Sequence, residues 1–413
     1  MNRRVTGGTA AAMAALLVLA ACGSDGSSKA DDGKSEVVIG VAGARVGPIS
    51  DVGEGIGSAI DDWFKMVNDK GGINGRQVKI SETEIQYEVP RAIEAFSRFQ
   101  QEKVALVVAE GSAISDALGQ ASSKAEIPIL YPGQGNLDTV DGDKLPYAFP
   151  GGPLYAHQAS AMAEYAAKTG GEDVSIACLA WEAPPGQEYC DGAKSGAKES
   201  GAPFLGVVEF GAKAVDLTAP IKKLRDLGAT VNLHSGVFGQ ATLAFKGLCA
   251  SDSDAITGAW HWGLTKGAIN DAGAECMEGV LGTSMSTLVT DEPEAVTMLR
   301  DYWESKDMEP SKAFKTNTLY ANGLYFAVLI EEAIRQADEA KGSGELTGKD
   351  LKAGLESIKG YEGYGITCPI TITPKDHSGN RALNIYKVEK GGFVLQERCL
   401  TGPPVPAEPD VLG

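Results

Sequence analysis

Residues 104–131 contain a complete βαβ unit and read VALVVAEGSAISDALGQASSKAEIPILY. Two short apolar runs, Val104–Ala109 and Pro128–Tyr131, predict buried strands, and the segment Ser115–Ala125 between them predicts a helix. Two strands joined through a helix lie parallel in one sheet. This stretch therefore predicts an α/β architecture built on a parallel sheet.

The same alternation continues on both sides of this unit. Upstream, Val37–Val41 predicts a strand and Gly55–Asn68 predicts a helix. Downstream, a second series of alternating elements begins near residue 157, a mostly helical block covers about 292–357, and β-like alternation closes the chain. The helix predicted at Pro90–Glu102 is expected to turn four side chains inward, namely Ala92, Ile93, Phe96 and Phe99.

This order of elements predicts two α/β lobes that are each completed by a later part of the chain. The helical block would return to the first lobe and the closing strands to the second, so the chain would cross between the lobes three times. The predicted boundaries are a signal peptide at 1–21, a flexible tether at 22–35, lobe 1 at 36–152, lobe 2 at 153–282, the return to lobe 1 at 283–367, the return to lobe 2 at 368–400 and a disordered tail at 401–413.

Composition and charge exclude several classes of protein. The 413 residues are too many for one ordinary core and suit two. Apolar residues make up 43% and charged residues 22%, as in a soluble folded protein rather than a disordered one. The formal net charge is −18, and this acidic balance argues against nucleic-acid binding, which relies on basic faces that contact phosphates.

The N-terminus has the features of an export signal. Arg3 and Arg4 precede an apolar run, Thr9–Ala21, which is too short to span a bilayer. The run ends in Leu-Ala-Ala-Cys22, which resembles the lipobox of bacterial lipoproteins, a family in which this cysteine is lipidated. We therefore expect an exported protein that is anchored through Cys22 to the outer face of the cell membrane. A plain signal peptide with a chance cysteine is the alternative.

The remaining cysteines fit an exported protein with disulfides. Pairing neighbours along the sequence is the simplest assignment, and none of the pairs has the C-x-x-C spacing of a zinc or redox site. The four histidines are far apart, so neither a metal site nor a cofactor is expected. The pairs expected on this basis are Cys178 with Cys190, Cys249 with Cys276, and Cys368 with Cys399.

Several segments, taken in order, resemble one family. The turn at 68–76 reads NDKGGINGR, residues 127–133 read IPILYPG, and residues 376–381 read DHSGNR. Together they resemble the periplasmic solute-binding proteins of the branched-chain amino acid type, the substrate receptors of ABC importers, over residues 36–399. The resemblance implies the type I periplasmic-binding-protein fold, with two Rossmann-like lobes, three hinge crossovers and a ligand in the cleft between the lobes.

The family's ligand-binding positions in lobe 1 map onto two loops of this chain. The resemblance places the ligand's carboxylate-like end near Ser112 and near Gly133, Gln134 and Gly135. A serine at a helix start can meet an anion together with free N–H groups, and glycines let backbone amides approach closely. The alternatives are a helix cap for Ser112 and a solvent-facing loop for Gln134.

In lobe 2 the resemblance implies an aromatic side chain at Phe238 and, for amino-acid ligands, a carboxylate near Trp262. No glutamate lies there, and an unpaired buried ammonium is costly. Trp260 and Trp262 surround His261 instead and would share one face of a strand, which suggests an aromatic or apolar ligand with few charges. Core packing of both tryptophans is the alternative. Trp181 is a further candidate, and Arg45, Tyr87 and Glu182 are weaker ones.

The sequence contains no nucleophile elbow, Walker A loop or other enzymatic motif, so we expect a binding protein without catalytic residues. The expected function is capture of a small organic solute, of the branched-chain amino acid, amide or aromatic carboxylate class, by hinge closure. The expected partners are an ABC permease and its ATPase, with the receptor itself a monomer. An extracytoplasmic sensor that signals through a membrane partner has the same fold-level features and stays the alternative.

Overall fold

A computed structural model describes residues 34–405, apart from residues 48, 134, 172, 212 and 252–253. Parallel strands form one sheet in each of two lobes, as the sequence predicts. The first lobe contains β1 (Val37–Gly43), β2 (Val78–Glu84), β3 (Leu106–Ala109), β4 (Ile129–Leu130) and β5 (Ala148–Phe149). The second contains β6 (Ile176–Trp181), β7 (Phe204–Phe210), β8 (Val231–His234), β9 (Ile256–Ala259), β10 (Leu281–Ser284), β11 (Ala382–Glu389) and β12 (Gly392–Thr401).

The strand orders are those of two Rossmann-like sheets. The first sheet runs β2-β1-β3-β4-β5 and is parallel throughout. The second runs β12-β11-β10-β9-β8-β6-β7, with β11 antiparallel to both of its neighbours. Because the parallel strands of each sheet all end at the same edge, the loops that follow them gather at the edge where ligands of such sheets bind.

Helices cover the faces of both sheets. None of those in the described part of the chain is long and apolar enough to cross a membrane. Around the first sheet lie α1 (Ser50–Asp69), α2 (Val89–Gln101) and α3 (Ser112–Ala125); the second lobe contains α4 (Tyr155–Thr169), α5 (Pro184–Glu199), α6 (Thr218–Asp226), α7 (Gly239–Cys249), α8 (Lys266–Ala272) and α9 (Ala274–Met277); the later block contains α10 (Glu294–Ser305), α11 (Lys312–Thr316), α12 (Tyr320–Lys341) and α13 (Gly348–Leu355).

The helix α12 is the buried centre of the first lobe. It packs against α1 and α13, and both polar and apolar residues along its length are buried.

One of the four side chains of α2 that were predicted to face the core does not, because Ile93 is 48% exposed. The buried face of α2 is formed by Ala92, Ala95, Phe96 and Phe99, which share one side of the helix at spacings of three and four.

Three crossovers lie side by side and are held by α12. Tyr325 donates a hydrogen bond to the carbonyl of Gly151 and accepts one from Asn380 Nδ2, at 2.5 and 3.3 Å. One turn earlier on the helix, Asn322 Oδ1 accepts a hydrogen bond from Ser286 Oγ at 2.7 Å. The three segments that connect the lobes therefore share one support, as a hinge requires.

Two of the expected boundaries differ from the structure. The return to lobe 2, expected from residue 368, begins after His377, because Gly142 N donates to Lys375 O and His377 Nδ1 lies 2.9 Å from Ala148 O in lobe 1. The tail was expected to be disordered from residue 401, but residues 402–405 pack on lobe 2. Ser160 Oγ donates to Pro403 O, and Val405 is buried. Residues 406–413 lie outside the described part.

The cysteines approach each other in the pairs that sequence order suggests. Cys178 and Cys190, Cys249 and Cys276, and Cys368 and Cys399 lie at disulfide distance, with Cα–Cα distances of 5.7, 5.2 and 5.5 Å. All three pairs belong to the second lobe or link its last strand to the segment that returns to it. Cys22 and the predicted signal peptide lie outside the described residues.

The glycine-rich turn at 68–76 is fixed by a buried ion pair. Arg76 is fully buried, and its Nε donates to Asp338 Oδ1 in the last turns of α12 at 2.7 Å. Its Nη1 also donates to the carbonyl of Gly344 at 2.7 Å. The turn between α1 and β2 is therefore attached to the end of α12, which is far away in sequence.

Replacing this arginine should destabilise the protein. We expect Arg76→Ala to lower the free energy of unfolding by about 3–5 kcal/mol, because it leaves the buried Asp338 carboxylate without this partner and the Gly344 carbonyl without this donor. The measurement is urea-induced unfolding. Arg91→Ala is the matched control, since Arg91 is 46% exposed and pairs with Glu88, so its loss should change stability by about 0.5 kcal/mol or less. Equal effects of both variants would contradict the structural role of Arg76.

Candidate functional site

A cavity of about 60 Å³ lies between the lobes, at the carboxyl ends of the strands of both sheets. Pockets that bind drug-sized ligands have volumes of about 300–1,000 Å³, so the lobes have to move apart to admit a solute of that size. The walls come from the segments that follow β1, β2, β3, β4, β6, β8 and β9 and from the start of α4. The lining residues are Ile49, Val52, Tyr87, Glu110, Gly111, Ser112, Pro132, Gly133, Tyr155, Trp181, Pro185, Val237, Phe238, Trp260 and Trp262.

The first-lobe wall contains Ser112 at the first position of α3. Gly135 N donates to Ser112 Oγ at 3.0 Å, and the same hydroxyl also hydrogen-bonds with the Tyr155 side chain. The first N–H groups of a helix have no partner within that helix, so this end of α3 offers backbone donors. Gly111, which precedes it, has φ +95, and a Cβ there would overlap the ring of Tyr87.

The second-lobe wall is aromatic, but for a different reason than the sequence suggests. β9 ends at Ala259, and Trp260 and Trp262 belong to a tight turn rather than to a strand. Gly263 N donates to Trp260 O at 3.0 Å and closes this turn, which brings both rings to the cavity. Trp260 Nε1 donates to Gly236 O at 2.7 Å, so the ring is also fixed from the β8 side.

The lobes meet at Gly133. The Tyr155 hydroxyl donates to Gly133 O at 2.6 Å and accepts a hydrogen bond from Trp262 Nε1 at 3.0 Å. Gly133 has φ +58, and a Cβ there would overlap the six-membered ring of Trp262. A glycine at this position is therefore needed both for the backbone conformation and for the close approach of the two lobes.

Two aromatic lining residues have unusual backbone conformations. Phe238 has φ 45 and ψ −117 and caps α7, and Tyr87 has φ 60. Positive φ is rare for bulky side chains and costs free energy, so such residues concentrate at binding sites. The candidates Phe238, Trp181 and Tyr87 are all among the residues that line the cavity, and their role in ligand binding stays a prediction.

Glu110 and Tyr155 were missed by the sequence analysis. Glu110 is 2% exposed and lines the cavity, and neither carboxylate oxygen has a hydrogen-bond partner among the described residues. Burial raises the pKa of this carboxyl to about 8, and the neighbouring Glu82 adds to the effect. A charged residue between a buried strand and a Gly-Ser helix start was the available signal.

Other candidates lie elsewhere. Gly135 does not line the cavity and acts through Ser112, and Gln134 lies outside the described residues. Arg45 is engaged by Glu82 and Asp61 at 2.7 and 2.6 Å, and Glu182 is exposed outside the cavity lining.

The histidine between the tryptophans is not a lining residue. His261 Nδ1 donates to Gln158 Oε1 at 2.8 Å, and burial lowers the pKa of the ring to about 3, so the ring is neutral. Among the described residues, no group of three or more histidine, cysteine, aspartate or glutamate side chains could hold a metal ion.

The buried Glu110 should make stability depend on pH. Its pKa is about 8 in the folded chain against about 4.5 in the unfolded chain. Between these values the folded state binds one proton more, so the free energy of unfolding falls as the pH rises and becomes level above about 8. We expect the melting temperature of Glu110→Gln, relative to the parent protein, to increase between pH 5 and pH 8. The melting temperatures are measured by calorimetry, and a difference between the two proteins that does not change with pH would contradict this prediction.

The comparisons with known proteins agree with this architecture. A family model described as periplasmic binding protein matches residues 36–392. No curated protein sequence matches this chain. Among solved structures, one described as an ABC transporter permease from the Pseudomonas fluorescens group is 22% identical, with a TM-score of 0.80 over 89% of this chain and 92% of that chain.

Two further structures differ in what their descriptions name. A branched-chain amino acid ABC transporter from Thermus thermophilus with bound valine is 21% identical, with a TM-score of 0.79 over 90% of this chain and 97% of that chain. A fatty acid ABC transporter substrate-binding protein from Thermomonospora curvata is 16% identical, with a TM-score of 0.75 over 89% and 93%. At these identities the likeness establishes the type I periplasmic-binding-protein fold. Together with the family match, it means that the chain belongs to the periplasmic binding protein family.

Proposed function

We propose that this protein is the substrate-binding subunit of an ABC importer and captures a small organic solute between its lobes. The observation that carries the proposal is the cavity whose walls come from both lobes at the carboxyl ends of their strands. A solute that contacts both walls binds the closed form more tightly than the open form and so shifts the population toward closure. The closed form then docks on the permease and its ATPase.

The ligand classes that we consider are branched-chain amino acids, amides and aromatic carboxylates. Relatives with this fold carry descriptions that name valine in one case and fatty acids in another, so the fold admits different solutes. The backbone N–H groups at the start of α3, next to Ser112, offer donors to a carboxylate or carbonyl oxygen, and the tryptophan-rich wall suits an apolar body. No acidic side chain in lobe 2 lines the cavity among the described residues.

The proposed location is the outer face of the cell membrane. The signal-like N-terminus and Cys22 support export and lipidation, and the three cysteine pairs fit an oxidising compartment. A lipid-anchored monomer would stay next to its permease while its lobes remain free to open and close.

A ligand screen tests the function. The unlipidated protein from Ser24 onward is melted in the presence of amino acids, amides, aromatic acids, amines and sugars. A ligand at 100 times its dissociation constant adds about 2.7 kcal/mol to the free energy of unfolding. A shift produced by one chemical class supports the receptor function, whereas no shift with any compound contradicts it.

Gly133→Ala tests the importance of the contact between the lobes. The added methyl group meets the Trp262 ring and opposes closure, so we expect at least a tenfold weaker affinity for the ligand found in the screen. The measurement is isothermal titration calorimetry.

Gly119→Ala is the matched control for this variant. Gly119 lies within α3, where the new methyl group would be 3.5 Å from the Leu145 side chain, an ordinary contact. We expect its affinity to be unchanged. Equal affinities of both variants would show that closure does not involve the contact between Gly133 and Trp262.

A further inference from the structure

The cavity contains one acidic side chain and no basic one among the described residues. Glu110 follows β3 directly and reaches the cavity lining with 2% exposure. Both of its carboxylate oxygens are unpartnered among the described residues. A buried carboxyl group without hydrogen bonds is costly for folding, so a binding role would explain its presence.

The neighbouring charges compensate Glu110 only in part. Arg45, which follows β1, favours ionisation of Glu110, but it already pairs with Glu82 on β2 and Asp61 on α1. Glu84 on β2 accepts hydrogen bonds from two backbone N–H groups and adds further negative charge near Glu110. Tyr87, on the loop that follows β2, also interacts electrostatically with Glu110. The surroundings of Glu110 therefore carry an excess of negative charge, which favours a cation in the cavity.

The cavity is also lined by several aromatic rings. Ring faces are negatively polarised and attract cations, most strongly when water is excluded, as in the aromatic cages that hold alkylated ammonium groups. Tyr155 and Trp260 lie with their ring centroids 4.7 Å apart on the wall that lobe 2 contributes. The aromatic lining residues are Tyr87, Tyr155, Trp181, Phe238, Trp260 and Trp262.

We propose that the ligand of this cavity is a small organic cation, whose ammonium nitrogen sits against the Glu110 carboxylate and among these aromatic rings. The proposal rests on the receptor function proposed above and narrows its ligand. The counter-charge comes from Glu110 in lobe 1, two residues before the start of α3, while most of the rings come from lobe 2. A cation thus contacts both lobes and stabilises the closed form. Neutral amides and aromatic carboxylates leave Glu110 unpaired.

A protonated Glu110 that donates a hydrogen bond to an anionic or neutral ligand is the competing arrangement. The two differ in their dependence on pH. A cation needs the ionised carboxylate, so its affinity rises with pH by up to tenfold per pH unit until about pH 8, where the carboxyl group ionises. A ligand that accepts a hydrogen bond from the protonated group loses affinity as the pH rises through the same range.

The test compares pairs of compounds that are similar in shape and differ in charge. Choline and 3,3-dimethylbutan-1-ol have nearly the same shape, and isopentylamine and 4-methylpentanoate carry opposite charges on the same branched carbon chain. Their affinities are measured by calorimetry between pH 6 and pH 9, together with those of every compound found in the screen. We expect each compound that binds to carry a cationic nitrogen and its uncharged isostere to bind at least tenfold more weakly.

Two variants test whether the preference for cationic compounds depends on Glu110. Glu110→Gln keeps the shape of the side chain and removes its charge, so we expect at least a tenfold loss of affinity for the cation and loss of the pH dependence. Glu182→Gln removes an exposed carboxylate near Trp181, outside the cavity lining, and should leave affinity and pH dependence unchanged. The melting temperature of each variant shows that it is folded.

The outcomes separate the inference from the proposed function. Binding of cations alone, with the expected loss in Glu110→Gln, supports both. Binding of anionic or uncharged compounds in preference to cations, or retention of cation affinity in Glu110→Gln, overturns the inference while the receptor function stands. Absence of binding by every compound, in this set and in the screen, overturns the receptor function, and the inference with it.

Discussion

The contact between Gly133 and the pair formed by Tyr155 and Trp262 determines the geometry of the whole site. It joins a loop of the first sheet to a helix start and a turn of the second lobe, and it closes one side of the cavity. The approach is possible because residue 133 has no side chain and has a positive φ. Motion at the three crossovers would break or form this contact first, so closure and completion of the site are one event.

The remaining cavity combines two properties that rarely occur together in a protein interior. Its walls are mostly aromatic and apolar, which lowers the local dielectric, and yet they contain one carboxyl group without a hydrogen-bond partner among the described residues. Burial opposes ionisation of Glu110, and the acidic residues of β2 add to this effect. The helix α12 holds the lobes in place around this cavity. It contacts the crossovers, and its Asp338 pairs with Arg76 in the turn between α1 and β2.

Patterns within single elements were sufficient for much of the architecture. Apolar runs separated by helical periodicity predicted the parallel strands of both sheets, and Ser112, Trp181 and Phe238 reach the cavity because they lie at or after the carboxyl ends of β3, β6 and β8. The errors arose where neighbours in space override local pattern. Ile93 is exposed because the face of α2 is centred on Phe96 and Phe99. Trp260 and Trp262 share the cavity through a turn, although alternation along a strand had predicted the same side for both.

The sequence by itself determined the class of fold, the number of crossovers and the loops that face the cleft, since these follow from periodicity and from the parallel order of strands. Only the tertiary structure decided which side chains on those loops meet. Glu110, Gly133 and Trp262 are far apart in the chain, and whether a charge is paired depends on all its neighbours in space. Arg45 shows this most clearly, because Glu82 and Asp61 engage it and the Glu110 carboxyl group in the cavity is left without a hydrogen-bond partner among the described residues.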